Sequence, residues 1–495
     1  MLIFILPLAL LRMSKSHNFT YQLISESMKL KQLTITFVTL CVAIGSGLKA
    51  AQAASFTVIA NNLDNPRGIT YGPDGNLYVG EAGRGGSGAC QPAPFVAFEP
   101  ICAGNTGAIA KITPDGLQEN VISNFQSLSL QPSQYQATGP EDLKFDFQGN
   151  AYFISGLGGN PANRDTELNT LSANVQFPSG QTMVAPTFPP EQALNTPDLG
   201  KFYKIDLNTG NYTLIADLAK NELINNPDGG DVISNPYAMA IKGDTAYITD
   251  GGGNVVYKAK LDGSSFTAIP IPRRTVENPE FPAPPPGTAA SVSGTDGQQV
   301  EAANQQQSPP GVDLPPGQSA NTVELQAVPT GIAVGPDGSV YVGEYSGFPF
   351  PEGKARVWRI GDDGMPQVYA DGFTHIIDLR FDKDGNLLVL QFADQSQWKG
   401  QDEAALPGSL IKLTPDQTRT TLIAAGEGLE SATGIEVGPS GEIYVVNKGI
   451  GPGNGEVLRV DSVDGAASVP EPASMLGLLV FGAVGGGVWH KRKRQ

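Results

Sequence analysis

One short pattern recurs six times along the chain and constrains its fold more than any other feature. The first copy reads NPRGITYGPDGNLYVGEAG: an apolar stretch, a tight turn of the Asp-Gly type, and a second apolar stretch with a polar end. Apolar stretches on both sides of such a turn predict a β-hairpin. The copies begin at Asn65, Gly139, Asn235, Val328, His375 and Ser431. The chain is therefore expected to be built from hairpins repeated at intervals.

A second hairpin follows every copy except the last. Units of four strands at this spacing are typical of propeller blades. The last unit lacks a fourth strand, and the segment Ser55–Leu63 resembles the fourth strands of the other units. We predict an all-β fold, a six-bladed β-propeller over residues 55–462. The N-terminal strand is expected to close the ring, because it covers sheet edges that would otherwise stay open.

The first 53 residues have the order of a secretory signal peptide. Two lysines, an apolar stretch and an A-x-A cleavage site follow one another between Met28 and Ala53. The mature chain is expected to begin near Ala54, and Met28 is the expected start, with residues 1–27 as an over-long start assignment. An N-terminal membrane anchor is the alternative.

The C-terminal segment, residues 469–495, joins the letters VPEP to an apolar stretch and a run of Lys and Arg. This order resembles a PEP-CTERM sorting signal, with Pro470, Glu471 and Pro472 as its motif. The apolar stretch from Met475 to Trp489 is shorter than the roughly 20 residues that a spanning helix needs, and the basic tail would stay cytoplasmic. The resemblance implies a membrane tether that lasts until an exosortase-type processing peptidase cuts near the motif. A permanent anchor is the alternative.

The repeats also support a resemblance at the level of the whole mature chain. They are similar to NHL-type repeats, and the first copy with the paired cysteines after it resembles the ScyD/ScyE family, known from cyanobacterial scytonemin gene clusters. This likeness implies an exported propeller of the cell surface or extracellular matrix, in a scytonemin-like secondary-metabolite pathway. It implies no particular reaction.

Export makes the cysteines interpretable. Cys41 lies in the predicted signal peptide, so Cys90 and Cys102 are the pair left in a compartment that permits disulfides. We predict a structural disulfide between them. A redox role is not expected, because the C-x-x-C motif is absent.

The predicted blades gather the long connections on one face. The turns between first and second strands, and between third and fourth, are minimal, whereas the connections at the opposite ends of the strands, here the upper face, are long. Loops of this length are usually functional or disordered. The Pro-, Gln- and Ser-rich stretch 272–326 is expected to be a mobile loop. The long connections are Arg84 to Thr106, Leu157 to Leu199, Lys220 to Ser234 and Pro272 to Gln326.

The same geometry brings polar residues to the upper mouth of the central channel, where first strands begin and second strands end. Converging carboxylates and amides suit Ca²⁺, which takes six to eight oxygen ligands, and regucalcin-like gluconolactonases offer an analogy at the level of fold. A structural alternative stays open, since acidic residues at these positions can accept hydrogen bonds from neighbouring backbone. The predicted metal ligands are Glu81, Glu141, Asp142, Asp250, Glu344 and Asp378, and the predicted ligand-binding residues are Arg67, Gln391 and Asn447.

Catalytic groups are few. His375 is the one histidine between the two terminal segments, so it is the candidate general base, and a solvated lip residue is the alternative. Quinone-dependent sugar dehydrogenases built on propellers also need a histidine base, so this class of oxidoreductase is one interpretation of His375. No zinc spacing, P-loop or G-x-S-x-G motif occurs. The formal net charge of −17 argues against a nucleic-acid partner.

Two functions follow from these features, and the sequence leaves open whether the protein is an enzyme. The first is an exported propeller whose upper face binds a small aromatic molecule, a glycan or other extracellular polymer, or a protein. The second is an extracytoplasmic Ca²⁺-assisted hydrolase or lyase, or an oxidoreductase, at the acidic channel mouth. We favour the first, because the charged ring is present while a complete acid-base arrangement is not.

Overall fold

The structure is a computed structural model, and it describes residues 54–92, 99–172, 192–277, 279–281, 322–400 and 405–462. Antiparallel sheets repeat along the chain, and six of them form the blades, numbered I to VI. Blade I consists of β2 (Pro66–Tyr71), β3 (Leu77–Glu81), β5 (Pro100–Ile112) and β6 (Gln118–Leu130). Blade II consists of β7 (Pro140–Phe145), β8 (Ala151–Ser155), β9 (Lys201–Ile205) and β10 (Tyr212–Asp217). Blade III consists of β11 (Pro236–Lys242), β12 (Thr245–Asp250), β13 (Val255–Lys260) and β14 (Phe266–Pro270).

Blades IV to VI repeat the arrangement, and the first described strand pairs with the last strand of blade VI. Blade IV consists of β17 (Pro329–Val334), β18 (Val340–Glu344), β19 (Ala355–Ile360) and β20 (Pro366–Phe373). Blade V consists of β21 (Ile376–Phe381), β22 (Leu387–Gln391), β23 (Ser409–Leu413) and β24 (Arg419–Ile423). The sheet of blade VI contains β25 (Gly434–Val437), β26 (Ile443–Asn447), β27 (Gly455–Ser462) and β1 (Ser55–Leu63). Strand β1 pairs antiparallel with β27 from Ser55 opposite Ser462 to Leu63 opposite Gly455.

The six innermost strands contact one another in a closed ring, in the order β2, β7, β11, β17, β21, β25 and back to β2. Apolar side chains fill the spaces between neighbouring blades rather than a single central core. One cluster joins Tyr152 and Phe202 of blade II to Met239 and Ile248 of blade III, and another joins Leu63 of β1 to Ile69 of blade I. This is the packing of a six-bladed β-propeller, as the repeats predict.

The recurring letters of the repeat have a structural reason. In the first copy, Gly75 has a φ of 81°, which favours glycine. The preceding Asp74 accepts a hydrogen bond from Asn76 N and another, 2.9 Å long, from Tyr78 Oη. The same contact from a second-strand tyrosine to the aspartate of the turn recurs in blade II and blade IV, for Tyr152 with Asp146 and Tyr341 with Asp337. The turn and the following strand are therefore one unit of sequence.

Short elements decorate the upper face, where first strands begin and second strands end. Strand β4 (Cys90–Pro92) pairs with β5. The helices among the described residues are α1 (Thr166–Ser172) and α2 (Leu218–Asn225), with 3-10 turns at Pro161–Asn163 and Gln397–Lys399. Within the ranges that the structure describes, no helix is both long and apolar enough to span a membrane.

The insert 272–326 departs from the unstructured loop that its composition predicts. Its flanks form a two-stranded ribbon, in which β15 (Arg274–Glu277) pairs antiparallel with β16 (Thr322–Leu325). The ribbon buries Val276 and Leu325, so apolar residues at the flanks supply packing that the composition of the insert as a whole does not predict. Residues 282–321 of this prediction lie outside the described residues.

Candidate functional site

Polar residues that end second strands hold the loop that enters the first strand of the same blade. In each of four blades, such a side chain accepts a hydrogen bond of 2.6 to 2.8 Å from a backbone N–H of that loop. The loop turns sharply there, with positive φ angles at Asn65, His375 and Ser431, and this leaves N–H groups that need an acceptor. The pairs are Asp64 N with Glu81, Asn235 N with Asp250, Thr374 N with Gln391 and Glu430 N with Asn447.

Asp250 is the most fully satisfied of these acceptors. Besides Asn235 N, its carboxylate accepts hydrogen bonds from Ser234 Oγ and Gly253 N, at 2.7 and 3.0 Å. Burial raises the pKa of Asp250 even so, and the three donors oppose that shift. Burial likewise raises the pKa of Glu81 to about 7, against the Asp64 N–H, which lowers it.

Glu344 ends the second strand of blade IV but has different partners. Arg274 of β15 lies 2.5 Å from its Oε1, and Trp358 Nε1 donates a 3.0 Å hydrogen bond to its Oε2. Burial raises the pKa of Glu344 to about 7, and the charge of Arg274 opposes this. The ribbon of the 272–326 insert is thus fastened to the propeller through a buried ion pair.

Arg67 and Glu141, from the first strands of blades I and II, form a second ion pair at the mouth, with 3.1 Å between Nε and Oε2. The Arg67 guanidinium also donates to the carbonyl oxygens of Ala137 and Gly449, which belong to two different upper loops. Burial raises the pKa of Glu141 to about 7, while the charge of Arg67 lowers it. Both side chains are buried, so this pair holds loops together and does not present a free charge.

Asp142 and Asp378 lie deeper in the channel, in blades II and V. Each accepts a 2.9 Å hydrogen bond from a backbone N–H of the next innermost strand, Met239 N for Asp142 and Ile435 N for Asp378. Glycine makes room for the first of them, because a Cβ on Gly68 would collide with the Asp142 carboxylate. These two aspartates therefore tie neighbouring blades together.

Cations neutralise this deeper layer. Lys144 Nζ lies 2.6 Å from Asp142 Oδ1, and Arg380 lies 3.9 Å from Asp378 and 3.3 Å from Glu436. Burial raises the pKa of Asp378 to about 6, and the charge of Arg380 opposes the rise. Above the layer, Tyr237 of blade III donates a 3.4 Å hydrogen bond to Thr433 O beside blade VI, on the opposite side of the ring. The named charged groups of this layer are therefore paired with one another.

The predicted metal ligands do not form one set. Among the residues that the structure describes, no three His, Cys, Asp or Glu side chains are placed to hold a metal ion together. Three of the predicted ligands end strands in separate blades and contact separate segments, namely Glu81, Asp250 and Glu344. Glu141 pairs with Arg67. The two deeper aspartates, Asp142 and Asp378, accept hydrogen bonds from backbone N–H groups. The contacts match the structural alternative, in which these carboxylates serve the backbone and buried cations.

His375, the candidate base, is buried, with no exposed surface. Its ring stacks on Tyr345 with 4.7 Å between ring centroids and meets Phe350 edge-on at 6.0 Å. Neither ring nitrogen makes a hydrogen bond of ordinary geometry among the described residues. Burial lowers the pKa of His375 to about 4, opposed by nearby backbone of Phe350 and by the charge of Glu352. The burial of this histidine among aromatic rings matches neither a solvated lip residue nor an accessible base.

The sequence analysis missed a group of aromatic rings on the upper face, which we call the aromatic surface. Phe348 is 38% exposed, and its ring centroid lies 5.9 Å from that of Phe281 and 6.0 Å from that of Phe350. Trp398, half-buried, donates a 2.9 Å hydrogen bond from Nε1 to Pro349 O. The aromatic surface consists of Phe281, Phe348, Phe350 and Trp398.

Charged groups frame the aromatic surface and join the loops of blades IV and V. Glu352 accepts hydrogen bonds from Ser396 N and Lys399 Nζ, both 2.9 Å long. Lys399 also pairs with Glu280 at 2.6 Å and lies 5.3 Å from the centroid of the Trp398 ring. The residues of this surface come largely from two segments, GFPFPE and QSQWKG. Both segments lie outside the repeat, and no regular spacing connects them, so the sequence does not predict that they meet.

The remaining predictions concern the termini and the cysteines. Cys90 and Cys102 form the predicted disulfide and lie opposite each other where β4 pairs with β5. The prediction is confirmed. The sorting motif Pro470, Glu471 and Pro472 lies outside the described residues, as does the predicted signal peptide.

Comparison with known proteins identifies one feature. Residues 468–493 match the PEP-CTERM protein-sorting motif. This motif marks a protein for export and for membrane anchoring before it is processed by an exosortase, a membrane protease. No curated protein matches the chain.

Several solved structures show a partial likeness. A calcium-binding regucalcin from Agrobacterium tumefaciens has 11% identity and a TM-score of 0.40, over 82% of this chain and 94% of that one. A streptogramin B lyase has 12% identity and a TM-score of 0.39, over 84% and 100%. Virginiamycin B lyase from Staphylococcus aureus has 10% identity and a TM-score of 0.38, over 82% and 98%. The fold assignment rests on the strand pairing described above.

Proposed function

We propose that this protein is an exported propeller whose aromatic surface binds a ring-bearing partner, a glycan or a small aromatic compound, at the cell surface or in the extracellular matrix. The exposed ring of Phe348 beside half-buried Trp398 is the observation that carries the proposal. Aromatic rings give a large contact area at a small cost in conformational entropy, and they stack on flat ligands.

The charges at the channel support binding over catalysis. General acid-base catalysis needs a group that exchanges a proton with the substrate. Glu81, Glu141 and Glu344 are buried and bound by backbone N–H groups or guanidinium groups, and His375 is enclosed by aromatic rings. The alternative, a calcium-assisted hydrolase or lyase or an oxidoreductase at the acidic mouth, has less support for this reason.

The proposal also covers the export and processing of the protein and the family to which it belongs. Cleavage of a signal peptide before Ala54 would free β1 to close blade VI, and an exosortase would cut near Pro470 to Pro472 to release the protein from the membrane. Membership of the ScyD/ScyE family, NHL-type repeats and a place in a scytonemin-like pathway are part of the same proposal. They rest on the resemblance of the repeat and on the PEP-CTERM motif.

Two phenylalanines on opposite faces allow a matched test. Phe348 belongs to the aromatic surface, and Phe147, 85% exposed, lies in the turn between β7 and β8 on the lower face. We expect Phe348→Ala and Trp398→Ala to weaken binding about tenfold, the loss of one stacking contact, and Phe147→Ala to leave it unchanged. The measurement is retardation in native gels that contain alginate, xanthan or hydroxyethyl cellulose, with anilinonaphthalene sulfonate titration for aromatic ligands.

The design of the pair makes the proposal falsifiable. All three substitutions remove an aromatic ring, so a general effect of lost hydrophobicity would appear in each of them. Equal weakening by Phe147→Ala, or no binding of any probe by the unsubstituted protein, would contradict a binding role for the aromatic surface.

A further inference from the structure

Glu222 of α2 is a buried carboxylate that no part of the proposed function uses. Its side chain has no exposed surface. Neither Oε1 nor Oε2 has a hydrogen-bond partner among the described residues. Buried carboxylates in proteins are paired, hydrogen-bonded or bound to a metal ion, because an isolated buried charge is strongly unfavourable. This carboxylate therefore needs a partner that the described residues do not supply.

The Glu222 carboxylate lies beside Gly253, whose lack of a side chain leaves room next to it. A Cβ on Gly253 would lie 2.8 Å from Glu222 Oε2 and 3.6 Å from the carbonyl oxygen of Ile233. Asn226, which caps the C-terminus of α2 one turn after Glu222, is also buried, and its Oδ1 has no hydrogen-bond partner while its Nδ2 donates to Gly230 O. Two buried side chains with oxygens that lack donors, Glu222 and Asn226, thus lie one helical turn apart, and the Ile233 carbonyl oxygen lies near the first.

The two neighbouring carboxylates, Asp228 and Asp250, already accept hydrogen bonds from the protein, so Glu222 is the carboxylate available to a bound ion. Asp228 accepts hydrogen bonds from Arg273 Nη2, Asn254 Nδ2 and Gly230 N, at 2.7, 3.0 and 2.8 Å. Asp250 accepts from Ser234 Oγ, Asn235 N and Gly253 N.

The surrounding charge favours a cation. Burial, followed by the charges of Asp250 and Asp228, raises the pKa of Glu222 to about 10, and Arg273 is the cation that opposes the rise. Asp228 and Asp250 thus outnumber the single guanidinium of Arg273 around Glu222. A cation that binds there would release the proton that Glu222 holds at neutral pH.

We propose that the space beside Gly253, the Glu222 pocket, binds a Ca²⁺ ion, with the Glu222 carboxylate as the charged ligand and the Ile233 carbonyl and Asn226 amide oxygens as neutral ligands. Ca²⁺ accepts this mixture of oxygens and tolerates irregular geometry, with water in the remaining positions. One charged ligand, which must lose its proton to bind the ion, predicts weak binding, with a Kd of about 10⁻³ M or above, at the weak end of the range of extracellular calcium modules. The ion would hold α2, the loop after it and the glycine turn of blade III together.

The pocket differs from the channel-mouth site that the sequence predicts. Asp250 is the one residue near both, and here it acts through its charge and through its hydrogen bond to Gly253 N. The two sites can therefore be separated by substitution.

Thermal unfolding of the purified protein tests the proposal, in chelator and in millimolar Ca²⁺ or Mg²⁺ at constant ionic strength. We expect Ca²⁺ to raise the Tm of the unsubstituted protein and Glu222→Gln to remove this shift. Gly253→Ala should remove it as well, because the added methyl group would occupy the pocket and displace the Glu222 carboxylate while its charge is kept. The control Glu167→Gln makes the same change at an exposed carboxylate of the neighbouring helix α1, and it should keep the shift, as should the double substitution Glu81→Gln/Glu344→Gln.

Direct binding supplies a second readout. Tb³⁺ replaces Ca²⁺ in oxygen sites, and Tyr257, close enough for its pKa to be affected by the charge of Glu222, should sensitise its luminescence. Calcium should compete for this signal, and Glu222→Gln should lower the affinity at least tenfold. No Ca²⁺-dependent Tm shift in the unsubstituted protein, a shift that survives Glu222→Gln, or an equal shift with Mg²⁺ would each overturn the proposal.

Discussion

At the scale of single residues, the position of a charge in the repeat says less about its role than its partners do. Asp142 and Asp378 stand at equivalent places in blades II and V, and each accepts a hydrogen bond from the next blade. The sequence predicts where these side chains lie, because strand ends meet at the channel mouth. It cannot predict that a backbone N–H, rather than a ligand, satisfies them, because that depends on sub-ångström spacing between blades.

His375 shows the same limit. Its place at the start of blade V is visible in the sequence, but its burial depends on Tyr345 and Phe350, which come from a loop of blade IV. The pKa lowered to about 4 by burial, against an ordinary value of 6.5, has a consequence for stability. Because the folded pKa is depressed, the stabilising contribution is complete above about pH 6.5 and is lost as the pH falls towards 4, by about 3 kcal/mol in all.

The NMR titration of His375 measures this directly. In the chain from Ala54 with His490→Ala, His375 is the single histidine, and we expect its ring signals not to titrate between pH 5 and 8. Global unfolding is a poorer probe, because other groups change the stability of the protein in the opposite direction. The pKa values of Glu81 and Glu344 are raised to about 7, so their contribution to stability is lost as the pH rises. A midpoint near pH 6.5 would mean that the imidazole is solvated.

At the scale of elements, the repeat predicts the hairpins of the blades because each hairpin carries its own turn and its own apolar pattern. The upper-face elements could not be predicted in this way. Helix α1 has seven residues and helix α2 eight, too short to show a helical period. Their placement depends on long-range contacts such as the partly buried ion pair of Arg164 with Asp217, 2.7 Å long.

Strand β1 offers a matched pair of substitutions for the closure of blade VI. Leu63 is fully buried between blades VI and I, whereas Val58 in the same strand is 50% exposed. If β1 packs as the outer strand of blade VI, Leu63→Ala should lower the free energy of unfolding by about 2–5 kcal/mol, and Val58→Ala should change it by about 0.5 kcal/mol or less. Chemical denaturation followed by fluorescence gives both values. Similar small effects from the two substitutions would show that β1 does not contribute to the folded ring.

At the scale of the whole molecule, two faces differ in composition. The lower turns are short and built from the repeat, whereas the upper face carries the disulfide, the helices, the ribbon and the aromatic surface. The fold, the disulfide and the sorting motif could be predicted from sequence because each depends on local letters or on a repeat. The aromatic surface could not, since it assembles from Phe281, Phe348 and Trp398 of three separate loops.

The central claim is that ligands bind at this aromatic surface. Hydrogen–deuterium exchange of the protein, with and without the saturating probe that the gel assay identifies, locates binding without any substitution. The account predicts slower exchange in the peptides covering residues 345–352 and 394–400, with the lower turn around Phe147 unchanged. Protection confined to the lower turns, or to the rim around Glu81 and Glu141 without those two loops, would contradict it.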